Sequence, residues 1–250
     1  MMMTIVLSIF MIYLIIGEPV IETWVFSSFL KTKKVVSSRL IMFKRSFIRT
    51  WVTAAILVGL LIYFNTSFAL LGFVPLHWSN FWSHSVWIKI VAACAVLIYF
   101  ILFYLSSTIL YRLSEKKRMS VVKKLLPFNH VLPQTSQEKK WWFINSLSSA
   151  VEEFFYRGFV IFFLMYIFPE CNFLFAAVLS VLLDGLRYVG RWQAAIYVFF
   201  SSTLFVLLYG LFRSIYIAMI LHVIHDLRIL LMPIDDIHAA ANNKKNGEII

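Results

Sequence analysis

The chain has 250 residues, of which 61% are hydrophobic and 14% charged, with a mean hydropathy of +0.84. Soluble domains are about half apolar and about a quarter charged, so this composition excludes an ordinary soluble domain and fits a polytopic membrane protein. The formal net charge of +11 does not signal nucleic acid, because the lysines and arginines gather between apolar runs, where they read as the positive-inside pattern and as contacts to anionic lipid.

A helix needs about 20 apolar residues to cross a hydrocarbon core of about 30 Å, and seven such spans can be marked. The first covers about 4–24, with Glu18 and Pro19 near its end. It has no basic leader and no small-residue cleavage pattern, so a retained span is expected. Segment 31–49 carries Lys31, Lys33, Lys34, Arg39, Lys44, Arg45 and Arg49 and no acid, which suits a helix lying at the membrane interface. The second and third spans cover about 51–73 and 86–111. Between them, 75–84 has no lysine or arginine, and Trp78 and Trp82 fit an interfacial belt.

Segment 112–140 sets eight basic residues against Glu115 and Glu138 and is expected to be cytoplasmic. Spans four to seven follow at about 141–168, 173–189, 193–210 and 214–232, and the polar tail 233–250 is expected to fray. Counting basic residues in the short loops puts the amino terminus outside and the carboxyl terminus inside. The expected fold is therefore an all-α bundle of about seven transmembrane helices in three regions: 1–140 with the first three spans, a four-helix core at 141–232, and a flexible tail at 233–250. Cys94 and Cys171 give neither a disulfide framework nor a C-x-x-C site. Compact loops point to a bacterial inner membrane.

The fourth span carries Glu152, Glu153 and Arg157. Each ionisable side chain near the middle of a membrane helix costs about 2.5–3.5 kcal/mol to insert, so three within six positions call for a function or an internal partner. Glu153 and Arg157 are four apart with the acid first, the favoured order for an ion pair. Glu152 is rotated by about 100° from its neighbour and is left less committed. The fifth span adds Asp184, with Arg187 at i+3 and Tyr188 at i+4. The seventh adds His222, which shares a helix face with His225 and Asp226. His225 and Arg228 lie near the predicted cytoplasmic surface and are expected to snorkel. His77, His84, His130 and His238 fall in predicted loops or tail and receive no role.

Glu152-Glu153-x-x-x-Arg157-Gly158, then Gly185, then His222-x-x-x-Asp226 resembles the CPBP family of intramembrane proteases, the CAAX prenyl proteases and bacteriocin-processing enzymes. The resemblance covers 142–231. It implies a water activated by Glu152, with Glu153 beside it, Arg157 as an orienting neighbour, and His222 with Asp226 as acid and oxyanion partners. The family's middle motif, F-x-x-x-H, does not carry over: Asp184 stands at the aromatic position and Tyr188 where the histidine belongs. Tyrosine donates a hydrogen bond but cannot act as a neutral imidazole does.

The expected function is glutamate-type endopeptidase action on a membrane-associated or lipidated peptide, with membrane lipids and that substrate as partners and no nucleic acid. Two alternatives stand beside it, a catalytically silent relative acting as regulator, chaperone or immunity protein, and a small proton-coupled transporter. No cofactor is implied, and a glutamate-and-water mechanism needs no metal. A zinc set from Glu152, His222, His225 and Asp226 lacks a matching histidine on span five.

Overall fold

The computed structural model describes residues 1–31, 35–76, 86–104, 112, 114–188 and 192–245. Lys33, Lys34, the belt residues Trp78 and Trp82, and His77 and His84 lie outside the described residues. Every regular element among the described residues is helical.

Helix α1 runs without interruption through Met2–Ile12, a wide π turn at Tyr13–Gly17, and Glu18–Lys31. Helix α2 is Val35–Tyr63, so the basic segment and the second span form one element. This corrects the expectation of a separate interfacial helix. No proline or glycine interrupts 35–58, and Arg39 is buried rather than spread on a lipid surface. Its Nε donates to Glu138 Oε1 at 3.0 Å and its Nη2 to Gln134. The helix stops at Tyr63, ten residues before the expected end of that span, and a short 3₁₀ turn, Phe68–Leu71, follows.

After that turn come α3 (Val86–Tyr104), α4 (Glu115–Leu125), α5 (Ser136–Ser146), and α6, which joins Ser148–Glu153, a π turn at Phe154–Val160, and Ile161–Ile167. Helix α5 opens on a capping box, in which Thr135 Oγ1 accepts from the Glu138 N–H at 3.2 Å and Glu138 Oε2 accepts from the Thr135 N–H at 3.0 Å. Then follow α7 (Phe173–Leu186), α8 (Trp192–Phe212), α9 (Ile215–Leu227, ending in the 3₁₀ turn Arg228–Leu231) and α10 (Ile234–Lys245).

Three helices among the described residues are long and apolar enough to cross a membrane, Met2–Phe29, Arg39–Tyr63 and Ala194–Phe212. The bent pair Ile215–Leu231 and Ile234–Asn243 adds a fourth if it acts as one span. Phe173–Leu186 is apolar but short, and 148–167 carries Glu152, Glu153 and Arg157. The tail is not frayed as expected through residue 245. Ile234 and Ile237 of α10 pack with Val122 of α4 and Leu132, and Arg118 forms a two-point ion pair with Asp236 at 2.5 and 2.6 Å.

Helix α6 is the hub, packed against α9, α7 and α2. All seven residues of its π turn are buried, with Phe159 and Val160 fully so. A wide turn admits an extra residue and re-aims the side chains around it, here directly after the glutamate pair. Close approach fixes its far side: a Cβ on Gly158 would sit 3.2 Å from the Leu71 carbonyl and 3.2 Å from Ile215. Gly72, at φ +87°, ends the 3₁₀ turn, and its carbonyl accepts from the Ile215 N–H at 2.9 Å, tying that loop to the start of α9. A Cβ there would meet the Tyr209 ring at 2.3 Å. Gly72→Ala therefore combines left-handed backbone strain with a clash and is expected to destabilise by about 1–3 kcal/mol, read as a lower thermal midpoint in detergent.

Candidate active site

Helices α1, α2, α5, α6, α7, α8 and α9 surround a cavity of about 330 Å³. Its wall includes Glu22 from α1, Ser149 and Glu152 from α6, Asp184, Arg187 and Tyr188 at the end of α7, Tyr197, Ser201 and Ser202 from α8, and His222, His225 and Asp226 from α9. Glu152, Tyr188, His222 and Asp226, singled out from the sequence, thus share one space. Glu153 and Arg157 are fully buried behind the wall.

The two adjacent glutamates have separate partners. Glu153 Oε1 accepts from His222 Nδ1 at 2.6 Å, and its Oε2 lies 3.3 Å from Arg157 Nε, the ion pair expected from the four-residue spacing. A carboxylate can only accept here, so the proton sits on Nδ1 of His222. The imidazole also stacks on Phe205, with ring centroids 4.5 Å apart. Glu152 Oε1 instead accepts from Arg187 Nη2 at 2.9 Å. Arg157, which the resemblance makes the orienting neighbour of Glu152, reaches Glu153, Asp184 and Ser202: Nη1 donates to Asp184 Oδ2 at 2.9 Å, and Nη2 to the Ser202 carbonyl at 3.0 Å and to its hydroxyl. Ser202 Oγ in turn donates to Asp184 Oδ2 at 3.0 Å. The ion pair at Glu152 is instead with Arg187, one position before Tyr188.

Asp184 and Arg187 approach to 3.7 Å, a long version of the expected i,i+3 pair. The Arg187 guanidinium lies over the rings of Tyr156 and Tyr188, at 5.7 and 5.8 Å from their centroids.

Snorkelling does not describe His225 and Arg228, which are both buried. His225 Nδ1 donates to Asp226 Oδ1 at 3.3 Å, and its Nε2 is 2.6 Å from the Tyr197 hydroxyl, to which Arg228 Nη2 donates at 3.3 Å. Polar partners on α8 hold the two side chains inside, a preference that proximity to a helix end does not reveal. Asp226 Oδ2 accepts from Ser149 Oγ. His130 packs on Phe26 and Phe29, and His238 is buried in α10.

His222, His225 and Asp226 bring one ligand atom each within 4.8 Å of one another, the described residues that could hold a metal ion. Such a mixed nitrogen and oxygen set suits a divalent transition metal. An ion there would compete with Tyr197, Ser149 or Glu153 for these side chains.

Sequence reasoning missed Ser149, Tyr197 and Ser202, uncharged residues that stand out in neither hydropathy nor charge. It also missed the link from the amino-terminal helices. Arg49 of α2 donates to Glu22 Oε2 at 2.6 Å and lies 3.4 Å from Glu18 Oε2, so charge ties α1 to α2 beside the cavity wall that Glu22 lines. An acid late in an apolar run facing a basic segment was the available signal.

The glutamate pair, its arginine and the distant histidine, converging at one cavity, form the setting in which a family match has meaning. Residues 138–228 match the Rce1-like family model. The matching family model is that of the type II CAAX prenyl endopeptidase Rce1-like proteins, in agreement with the resemblance read from the motifs. The Rce1-like segment begins at Glu138, the partner of Arg39, and ends at Arg228, so it contains both glutamates, Arg187 and the α9 residues. Glu22 and the other α1 and α2 residues of the wall lie outside it. No curated protein and no solved structure matches the chain. Long apolar helices together with the match to a family of membrane proteases indicate an integral membrane protein.

Proposed function

We propose that the chain is an intramembrane endopeptidase that hydrolyses a membrane-associated or lipidated peptide by glutamate-activated water. The observation that carries this is the cavity shared by Glu152, Tyr188, His222 and Asp226 within the Rce1-like segment. Glu152 is the general base. Arg187 holds its Oε1, and Oε2 takes a proton from a water molecule as the water oxygen attacks the scissile carbonyl carbon. The oxyanion that forms accepts hydrogen bonds from the Tyr188 hydroxyl and from Nε2–H of His222 in its imidazolium form, whose Nδ1–H stays on Glu153, while Asp226, accepting from Ser149 and His225, holds this end of α9 in place. Collapse breaks the carbon–nitrogen bond, and the proton on Glu152 passes to the leaving amine. Glu153 positions His222 and Arg157.

In this proposal about seven spans cross the membrane with the amino terminus outside and the carboxyl terminus inside, which puts the cavity mouth beside the basic segments on the cytoplasmic face. The helices of 1–140 form a shell around the catalytic core of 141–232. Short connections favour a bacterial inner membrane. The matching family is one of CAAX prenyl endopeptidases, so a prenylated cysteine followed by two aliphatic residues and a free end is the first peptide to offer.

The full chain, reconstituted in lipid nanodiscs, is expected to cleave such a peptide in ¹⁸O-labelled water and to leave one label in the new carboxylate, read by mass spectrometry. Absence of cleavage across prenyl lengths would overturn the hydrolytic role. Retained peptide binding in that case would favour the silent relative, which the tyrosine at position 188 in place of the family's histidine would explain.

A further inference from the structure

Arg187 is 7% exposed and lies in the cavity wall. One of its nitrogens, Nη2, donates to Glu152. Its Nε and Nη1 are buried without a hydrogen-bond partner, and the nearest Asp184 oxygen is 3.7 Å from Nη1, beyond hydrogen-bonding distance. An unsatisfied buried donor is costly, and more so on a charged group. The guanidinium is nonetheless held in place, flanked by the Tyr156 and Tyr188 rings. Stacking of this kind fixes the plane of an arginine and pre-orients its donors. Among the described residues Arg187 is the one arginine or lysine in this wall.

None of the acids nearby makes a hydrogen bond to these two donors. Glu153 is taken by His222 and Arg157, Asp184 by Arg157 and Ser202, and Asp226 by Ser149 and His225.

We infer that Arg187 is a receptor for a carboxylate of the bound peptide, either its terminal carboxylate or an acidic side chain, close to the bond that is cut. A carboxylate is favoured over a phosphate because it brings a single negative charge into a wall already lined with acids. A planar guanidinium pairs well with its oxygens. Because the same guanidinium also holds Glu152, an arriving carboxylate and the catalytic base meet at one cation, and the cut falls within a few residues of the recognised group. The inference deepens the hydrolytic reading and rests on it for that last consequence; the binding itself can be measured without hydrolysis.

The test uses the full chain in nanodiscs and a fluorescent prenylated tetrapeptide whose backbone amides are N-methylated to resist cleavage. It is offered as the free acid, as the carboxyl-terminal amide, and as the amide with one residue replaced by aspartate. The wild-type chain is expected to bind one of the two acidic forms about 10–100-fold more tightly than the neutral amide, the range for a hydrogen bond to a charged group. Whichever form it prefers identifies the source of the carboxylate.

Arg187→Lys, which keeps the charge and loses the flat fork, is expected to reduce that ratio to about threefold or less. Equal affinity for all three forms, no binding, or an undiminished ratio in a folded Arg187→Lys chain would overturn the receptor. If the variant does not fold, the wild-type ratio decides alone. Cleavage of the unmethylated peptide is scored separately. Discrimination without cleavage keeps the receptor and removes the protease, whereas cleavage without discrimination does the reverse.

Discussion

Glu152→Gln is expected to lower peptide hydrolysis about 10²–10⁴-fold with little change in fold, since that is the range a positioned general base contributes. The substitution keeps the length of the side chain and leaves an oxygen to accept from Arg187 Nη2, now 2.9 Å from Glu152 Oε1. It removes the oxygen that would take a proton from water. Arg187 loses its nearest ionic partner but retains Asp184 at 3.7 Å, so the thermal midpoint is expected to fall only slightly. The loss belongs in kcat, because the water is engaged only as the transition state forms. Cleavage by the variant within threefold of the parent rate would remove Glu152 as the base. Glu153→Gln is a poor substitute for this experiment, because Glu153 holds both His222 and Arg157 and would perturb packing together with chemistry.

Which residues would lie in or behind a shared cavity was more legible from the sequence than which of them meet. Charges inside apolar runs are conspicuous because the bilayer penalises them, so Glu152, Glu153, Arg157, Asp184 and His222 could be named without coordinates. Spacing along one helix also gave the Glu153–Arg157 pair. It could not give Arg187 to Glu152, which joins positions 35 residues apart, or the Tyr197–His225 contact between α8 and α9. Periodicity describes one helix at a time, whereas partners across helices depend on rotations set by packing.

Helix limits failed for the same reason. A polar sequence from residue 233 reads as a tail, yet Ile234 and Ile237 find Val122 and Leu132. The basic segment of α2 reads as interfacial, yet Arg39 finds Glu138, 99 residues away. In both places a tertiary contact overrides composition.

Arg157→Met is expected to destabilise the chain by about 3–5 kcal/mol, the cost of removing one member of a buried charged network. Arg157 is fully buried and serves three helices at once: Glu153 on α6, Asp184 on α7 and Ser202 on α8. Methionine fills part of the volume but leaves Asp184 with the Ser202 hydroxyl and the more distant Arg187, and Glu153 with His222 alone. The discriminating experiment adds Asp184→Leu. An apolar replacement of both partners of a buried ion pair is often close to neutral, so the double variant is expected to recover about half of the lost stability, with Glu153 the remaining acid to be compensated. Unfolding midpoints in detergent, followed by tryptophan fluorescence, would read both effects. A parent-like midpoint for Arg157→Met would mean that van der Waals packing of α6, α7 and α8, rather than the guanidinium, holds the cavity wall in register. In that case Glu153 and Asp184 would have to be accommodated as uncharged acids.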